Sequence, residues 1–166
     1  MGRAPAFDKI SGRGGPGFTA SADEKSLFVV GGFSGKEMND VFRFDIERKQ
    51  WEEVYSQDNT NVRPFSVSCV AIIEERLTFF GGEVGESSKG HEGAGNFSAD
   101  CQVFDGLTGV SVSSTVLEDH VHKPCPRGWT YAAGWGGNKL VLFGGLTGND
   151  DAPKRLNDVW VLKPTE

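Results

Sequence analysis

The chain has 166 residues, of which 37% are hydrophobic and 11% aromatic, a composition that favours a folded domain over a disordered one. Its formal net charge of −6 opposes a nucleic-acid backbone as the main partner. No apolar segment approaches the roughly 18 residues that span a membrane, and the N-terminus lacks a hydrophobic signal core. We therefore expect a soluble, cytoplasmic protein that binds neither nucleic acid nor membranes.

The first element in chain order is a short segment at residues 6–11, which we interpret as a spare outer strand with no sheet before it. After it, three apolar segments each end in a pair of glycines, and the pairs recur 50 and 63 residues apart. That period is typical of propeller blades, and no helical periodicity interrupts it. The sequence therefore predicts an all-β fold. The three segments are residues 26–34, 76–85 and 139–147.

The strand pattern around these segments predicts a single partial propeller over residues 1–166, with three units. The first blade spans residues 17–55 and the second residues 65–116. The third spans residues 129–164 and has only three strands, so its outermost strand is missing. Three blades cannot close into a ring, and an open stack leaves sheet edges and blade faces exposed.

A further motif follows the first and third glycine pairs, where Asn-Asp-Val-aromatic occurs at residues 39–42 and 157–160. With the glycine pairs and the blade tryptophan Trp51, this motif resembles Kelch repeats. The resemblance implies a Kelch-type β-propeller of about three four-stranded blades, half of a six-bladed ring. Within the Kelch family the chain is most similar to the C-terminal half of plant nitrile-specifier and epithiospecifier proteins. The segments that carry this similarity are residues 12–18, 79–85, 90–98 and 127–130.

The spare strand and the incomplete third blade suggest how the ring closes. Two copies could join head to tail, each lending its first strand to the last blade of the other, which would give a two-fold symmetric six-bladed ring. Alternatively, the chain is a truncated or split product that stays open or is completed by another chain.

The loop that follows the second glycine pair contains carboxylates and a histidine. Glu83, Glu86 and His91 could bind Fe(II) or another divalent ion, because carboxylate and imidazole together suit such ions. The resemblance implies a Glu-x3-Asp-x3-His triad in this loop, and Glu83 and His91 have its spacing, but Ser87 occupies the middle position. The alternative is an exposed polar loop without a metal.

Three arginines each precede an innermost strand, at Arg13, Arg63 and Arg127. Equivalent turns converge at one mouth of a propeller channel, where guanidinium groups could bind a carboxylate, sulfate or phosphate. Alternatively, each arginine fixes its own turn by bonding backbone carbonyls. The resemblance adds Trp129, in Arg-Gly-Trp, as an apolar wall of the same ligand site.

Three interpretations of the function remain. The favoured one is a non-enzymatic interaction module that recognises an acidic small molecule or a protein partner at the mouth, with no required cofactor. The resemblance implies the second, a lyase-like, Fe(II)-dependent redirection of glucosinolate aglucone breakdown towards a nitrile. A third reading is a structural piece of a larger assembly.

Overall fold

The computed structural model describes residues 7–56, 62–85, 87, 89, 95–105, 111–115 (backbone only) and 123–163. Across these ranges every regular element is a β-strand, so the all-β prediction is confirmed. Within the same ranges, no helix is long and apolar enough to cross a membrane.

Blade one is a four-stranded antiparallel sheet in the order β1-β2-β3-β4. Its central strands β2 and β3 are almost wholly buried, whereas Phe18 on β1 is exposed on the side that faces away from blade two. The β2–β3 pairing shifts register after Val30 and the β3–β4 pairing after Val41, and such irregularities increase the twist of a sheet. The strands are β1 (Gly17–Ala20), β2 (Ser26–Phe33), β3 (Glu37–Asp45) and β4 (Gln50–Tyr55).

Blade two repeats this order with β5 (Cys69–Ile73) innermost, then β6 (Arg76–Phe80), β9 (Cys101–Asp105) and β10 (Ser111–Thr115). Between β6 and β9 the chain forms a separate two-stranded ribbon, β7 (Glu83–Gly85) with β8 (Asn96–Phe97). The loop that carries the predicted metal ligands therefore starts on a ribbon outside the blade.

Blade three has three strands in the part of the chain that the structure describes. They are β11 (Tyr131–Trp135), β12 (Lys139–Thr147) and β13 (Lys154–Leu162), paired in that order. The outer edge of β13 has no partner strand among these residues, so its outward backbone groups are available to another strand.

The predicted spare strand is not a strand where the structure describes it. Residues 7–10 form a turn, in which the Ile10 N–H donates to the Phe7 carbonyl at 3.0 Å. The Phe7 ring packs edge-on against Phe42, with 6.1 Å between ring centroids. The prediction was wrong here because Phe7 contacts blade one through its side chain, without pairing its backbone with a strand.

The apolar core consists of two layers, each between neighbouring blades. The first joins blades one and two around Val30, Phe65, Leu77 and Phe79. The second joins blades two and three around Cys69, Phe80, Leu140, Leu142 and Leu162. Each layer removes large apolar side chains from water, at about 25 cal/mol per Å² of buried area. Blade contacts therefore stabilise the stack.

The second glycine of each pair lies where the second strand passes the turn before the innermost strand of its own blade. At Gly82, φ is +102°, and an added Cβ would lie 2.7 Å from the Ser66 carbonyl oxygen. At Gly145, φ is +107°, and an added Cβ would lie 2.7 Å from the Gly128 carbonyl oxygen. The sequence motif thus reflects both a left-handed backbone and a close approach of two chain segments.

Three backbone hydrogen bonds join blade one to blade two. The Phe65 N–H donates to the Met38 carbonyl at 2.9 Å, and the Phe65 carbonyl accepts from the Gly32 N–H at 2.9 Å. Nearer the axis, the Val67 N–H donates to the Gly15 carbonyl at 2.7 Å. We call this set the junction bonds.

The same three junction bonds join blade two to blade three at equivalent positions. The Arg127 N–H donates to the Ser98 carbonyl at 3.1 Å, and the Arg127 carbonyl accepts from the Gly82 N–H at 2.8 Å. The Trp129 N–H donates to the Val67 carbonyl at 2.8 Å. Successive blades therefore meet through one repeated backbone pattern.

Candidate functional site

Arg127 precedes the innermost strand of blade three, and its side chain is completely buried. Its guanidinium donates two hydrogen bonds to the Asp158 carboxylate, at 2.7 and 2.9 Å, and a third to the Gly144 carbonyl at 3.0 Å. It also donates to the Cys125 carbonyl at 3.2 Å and contacts the Cys125 sulfur at 3.3 Å. The Trp160 indole N–H donates to the same carboxylate at 2.6 Å. This network ties the inner turn to the third strand of the blade.

Arg13 makes the same set of contacts in blade one. Its guanidinium bonds both oxygens of the Asp40 carboxylate and donates to the Gly31 carbonyl at 3.0 Å. It donates further bonds to the Ser11 carbonyl and hydroxyl, both at 3.2 Å. The Phe42 ring lies 5.5 Å from its guanidinium carbon. Bidentate arginine–carboxylate geometry explains the choice of arginine at both sites.

Blade two has a different residue at this position. The short bridges before the inner strands align Gly14, Ser66 and Gly128, so the residues before them are Arg13, Phe65 and Arg127. Phe65 is buried and stacks on Phe79, with 4.5 Å between ring centroids.

Arg63 lies two residues earlier than Phe65, at the position of Ser11 in blade one and Cys125 in blade three. It is exposed, and the structure records no hydrogen bond or ion pair between its side chain and a described residue. The three arginines that the sequence placed together are thus not equivalent.

The carboxylate partner in blade three has an altered pKa. The hydrogen bond from Arg127 lowers the pKa of Asp158 to about 2, while partial burial acts in the opposite direction. The carboxylate stays ionised at any pH near neutrality, so the pair persists as charges.

The contacts of Arg13 and Arg127 test whether these arginines are free to line the predicted mouth. Arg13 and Arg127 bond carboxylates and backbone carbonyls inside their own blades, as the alternative interpretation of the sequence describes. Of the three guanidinium groups, that of Arg63 is the exposed one. Ligand binding at the mouth stays a prediction.

A hollow of about 260 Å³ lies between the inner strands β1, β5 and β11, where the blades converge. Trp129 lines it and is half exposed, and its backbone is left-handed, with φ of +56°. Phe18, Val70 and Tyr131 give the hollow an apolar wall. Trp129 is thus placed on the channel surface, where the resemblance suggested an apolar wall, and its role in ligand binding stays a prediction.

The predicted metal loop lies largely outside the described residues, which include neither Glu86 nor His91. Glu83 is on β7, where its backbone pairs with Ser66 and its carboxylate lies against Gly95. Among the residues that the structure describes, no cluster of three histidine, cysteine or acidic side chains could hold a metal ion. A metal or Fe(II) site stays a prediction.

Ser87, which replaces the middle residue of the triad, has a different contact. Its hydroxyl bonds the Asp150 carboxylate in blade three, and Lys89 donates to the Asp150 carbonyl at 2.7 Å. This part of the loop therefore connects two blades.

The cysteines are free thiols, two of them in the core between blades two and three. Burial raises the pKa of Cys69 to about 12 and that of Cys101 to about 11, so both stay protonated and unreactive. They serve as small apolar residues in the packing.

The sequence interpretation missed the aspartates Asp40 and Asp158 as partners of the arginines. The signal was present, because each aspartate belongs to the repeated Asn-Asp-Val motif and each arginine precedes an inner strand. Each pair meets across its blade, between the turn before the inner strand and the third strand.

Four-stranded antiparallel sheets that stack through repeated junctions are blades of a β-propeller. The family model of the KLHDC2/KLHL20/DRC7 Kelch-repeats domain matches residues 5–166. The chain belongs to this Kelch-repeat family, which confirms the resemblance at the level of the Kelch repeat. Kelch-repeat domains generally mediate protein interactions.

One relative and one solved structure illustrate the similarity. The chain is 27% identical over 161 residues to Adagio-like protein 1 of Oryza sativa subsp. japonica, covering 90% of this chain and 23% of that protein. It also resembles the solved structure of YjhT, with a TM-score of 0.70, 16% identity, and coverage of 95% of this chain and 45% of the other. The chain thus spans less than half the length of either, and the second likeness concerns the fold alone.

Proposed function

We propose that this chain is a Kelch interaction module that completes its propeller by docking a second copy of itself. The observation that carries the proposal is the open face of blade three, which we define as Tyr131, Trp135, Phe143, Val159 and Val161. All five are exposed, with Tyr131 at 85%. Clustered apolar exposure of this kind is typical of an interaction surface.

The open face has the same place in its sheet as a covered face of blade one. Phe143 and Val159 occupy the register positions that Val30 and Val41 occupy in blade one. In blade one those two residues are buried against blade two. This equivalence supports the docking of a further blade on the open face of blade three.

The junction bonds support a head-to-tail arrangement. At the open end of blade three, the Leu156 and Trp129 carbonyls and the Gly145 N–H occupy the positions that bond a following blade at the two internal junctions. At the opposite end, blade one offers the Arg13 and Gly15 N–H groups and the Arg13 carbonyl. None of these groups has a partner from another sheet among the described residues. The two acceptors and one donor on blade three thus match the two donors and one acceptor on blade one of a second copy.

Measurement of solution mass tests this proposal. Light scattering after size exclusion should give twice the chain mass of 17.9 kDa. Val159→Lys on the open face of blade three and Phe18→Glu on the exposed side of blade one should each give monomers. Glu47→Lys, a charge change on an exposed turn, is the control and should leave the dimer intact.

Mixing the two monomeric variants separates the possible arrangements. In a head-to-tail ring, the Val159→Lys copy retains its blade-one face and the Phe18→Glu copy retains its blade-three face, so the mixture regains one intact junction and a dimer. A wild-type mass of one chain would overturn the proposal. A dimer that Phe18→Glu leaves intact would instead indicate that two blade-three faces pair.

We further propose that an acidic group of a partner binds at the mouth, through Arg63. The observation that supports this acidic ligand is the exposed guanidinium of Arg63, which bonds no described residue. The Arg63→Gln variant described below tests this ligand separately from ring closure.

A further inference from the structure

The turn of blade two retains the acceptors of a guanidinium site without its donor. In blades one and three, one arginine bonds both an aspartate carboxylate and the carbonyl of the first paired glycine. By strand register, Asp100 corresponds to Asp40, and Gly81 corresponds to Gly31. With Phe65 in place of the arginine, no described residue donates a hydrogen bond to the Asp100 carboxylate or the Gly81 carbonyl.

Both acceptors line a small hollow. It has room for about one water-sized group, roughly 10 Å³, with Asp100 and Gly81 on one part of its wall. Phe65, Phe79 and Val84 supply the apolar part. The phenyl ring of Phe65 therefore leaves part of the guanidinium position unfilled.

The backbone holds both acceptors in place. The Asp100 N–H donates to the Ser98 hydroxyl at 2.9 Å, and the Gly81 N–H donates to the Asp100 carbonyl at 3.0 Å. The Gly82 N–H bonds the Arg127 carbonyl of the next blade at 2.8 Å. The site is thus fixed by a turn and a junction before any ligand arrives.

The chemistry of the wall selects a cation with N–H groups. A carboxylate and a carbonyl both accept hydrogen bonds, and a charged donor bonds a carboxylate more strongly than a neutral one does. Aromatic side chains beside the hollow also favour a positive group over a negative one. The basic residue at the rim, Arg63, lines the hollow but does not bond Asp100.

We propose that this hollow binds the ammonium or guanidinium end of a basic side chain from a partner protein. One nitrogen of the incoming group takes the place of the Nη1 atom of Arg13 or Arg127, which donates to both the carboxylate and the glycine carbonyl in its own blade. It donates to Asp100 and Gly81, while the rest of its side chain stays outside the hollow. This site does not depend on ring closure or on the acidic ligand of Arg63.

Titration followed by ¹H–¹⁵N NMR of the full chain tests this site. The basic probes are N-acetyl-arginine amide and N-acetyl-lysine amide, and N-acetyl-citrulline amide is the neutral isostere. We expect the basic probes to shift the backbone amides of Gly81, Gly82 and Asp100 in a saturable way, and citrulline to leave them in place. The probe that binds more tightly identifies the preferred head group.

Variants locate the binding and separate it from the acidic ligand. Asp100→Asn should weaken the basic probes by about tenfold or more, since it removes the charge and keeps the shape. Arg63→Gln should strengthen them, because a like charge leaves the rim, and should abolish the binding of N-acetyl-aspartate amide. If a variant loses binding of the acidic probe alone, the result concerns the Arg63 ligand and does not contradict the Asp100 site.

A third variant fills the hollow from within. The new arginine of Phe65→Arg should pair with Asp100 and block the basic probes. If this variant does not fold, the affinity of Asp100→Asn for the basic probes tests the site instead. The proposal is overturned if citrulline binds as well as arginine, or if Asp100→Asn leaves the affinity for both basic probes unchanged.

Discussion

Blades one and three hold their inner turns with a buried ion pair, whereas blade two holds the same turn with stacked aromatic rings. The backbone is equivalent in all three, as the repeated junction bonds show. Arg13 and Arg127 satisfy a carboxylate and a carbonyl within their blades, while Phe65 packs on Phe79 and leaves both acceptors open. The same turn can thus be held by an ion pair or by aromatic packing, and the aromatic packing in blade two leaves two hydrogen-bond acceptors without a donor among the described residues.

The ion pairs and the aromatic stack differ in how much stability the protein loses when one partner is removed. Removing one partner of a buried ion pair leaves a charge without compensation, even where the intact pair contributes little net stability. Loss of an aromatic stack costs packing and transfer free energy, with no stranded charge. Single substitutions can therefore distinguish the blades.

The largest effect is expected from Arg127→Met. The Arg127 side chain is fully buried but Asp158 is partly exposed, so the change should lower the free energy of unfolding by about 2–3 kcal/mol, because the Gly144 carbonyl and the carboxylate lose their donor. Urea denaturation followed by circular dichroism measures this. The control Arg155→Met, on the exposed start of β13, should change stability by less than about 0.5 kcal/mol.

A double variant checks the physical reason for that loss. Adding Asp158→Asn to Arg127→Met removes the stranded carboxylate and should recover part of the stability. Equal losses in the single and double variants would show that the charge is not what makes the first substitution costly.

The pH dependence of stability should be the next largest effect. The pKa of Asp158 is about 2 in the folded chain and about 3.8 without these contacts, so the unfolded chain takes up a proton first as the pH falls. The stabilisation is present above about pH 4 and disappears as the pH approaches 2.

Denaturation midpoints between pH 5 and pH 2 measure this dependence. Because Asp158 is partly exposed, its share should be about 1 kcal/mol or somewhat more after solvent screening. Asp158→Asn should flatten the fall by that amount. A slope that Asp158→Asn leaves unchanged would contradict a pKa of Asp158 lowered by its bond to Arg127.

The repeated parts of the fold could be predicted from sequence because each has a local cause. Glycine pairs such as Gly81-Gly82 mark a left-handed turn at a close backbone approach, and apolar strands such as residues 139–147 mark a sheet between neighbours. The turn at residues 7–10 could not be recognised, since its segment contacts blade one through the Phe7 ring and not through strand pairing.

The site was harder to predict than the fold because it depends on register. Alignment of the arginines by their nearness to the inner strands placed Arg63 with Arg13, although two residues separate it from the equivalent position. The bridge of Ser66 with Glu83 defines that position as Phe65. The aspartate partners lie 27 and 31 residues after their arginines, and pattern alone does not show that they meet.

The smallest effect concerns the left-handed residues nearest the axis, where the blades differ again. Blade one has Gly15, whereas blade two has Val67 and blade three has Trp129, with φ between +48° and +56°. A side chain at such a φ costs roughly 1–2 kcal/mol relative to glycine. Trp129→Gly should therefore be more stable than Trp129→Ala by about 1 kcal/mol, since alanine keeps the strained Cβ and both lose the indole.

The neighbouring residue Thr130 provides the matched control for this last prediction. Its backbone is not left-handed, so Thr130→Gly should be less stable than Thr130→Ala, the reverse of the order at Trp129. Thermal unfolding of the four variants measures both differences. The same order at both positions would mean that the Trp129 backbone is not strained. The left-handed backbone near the axis would then cost the same free energy in all three blades.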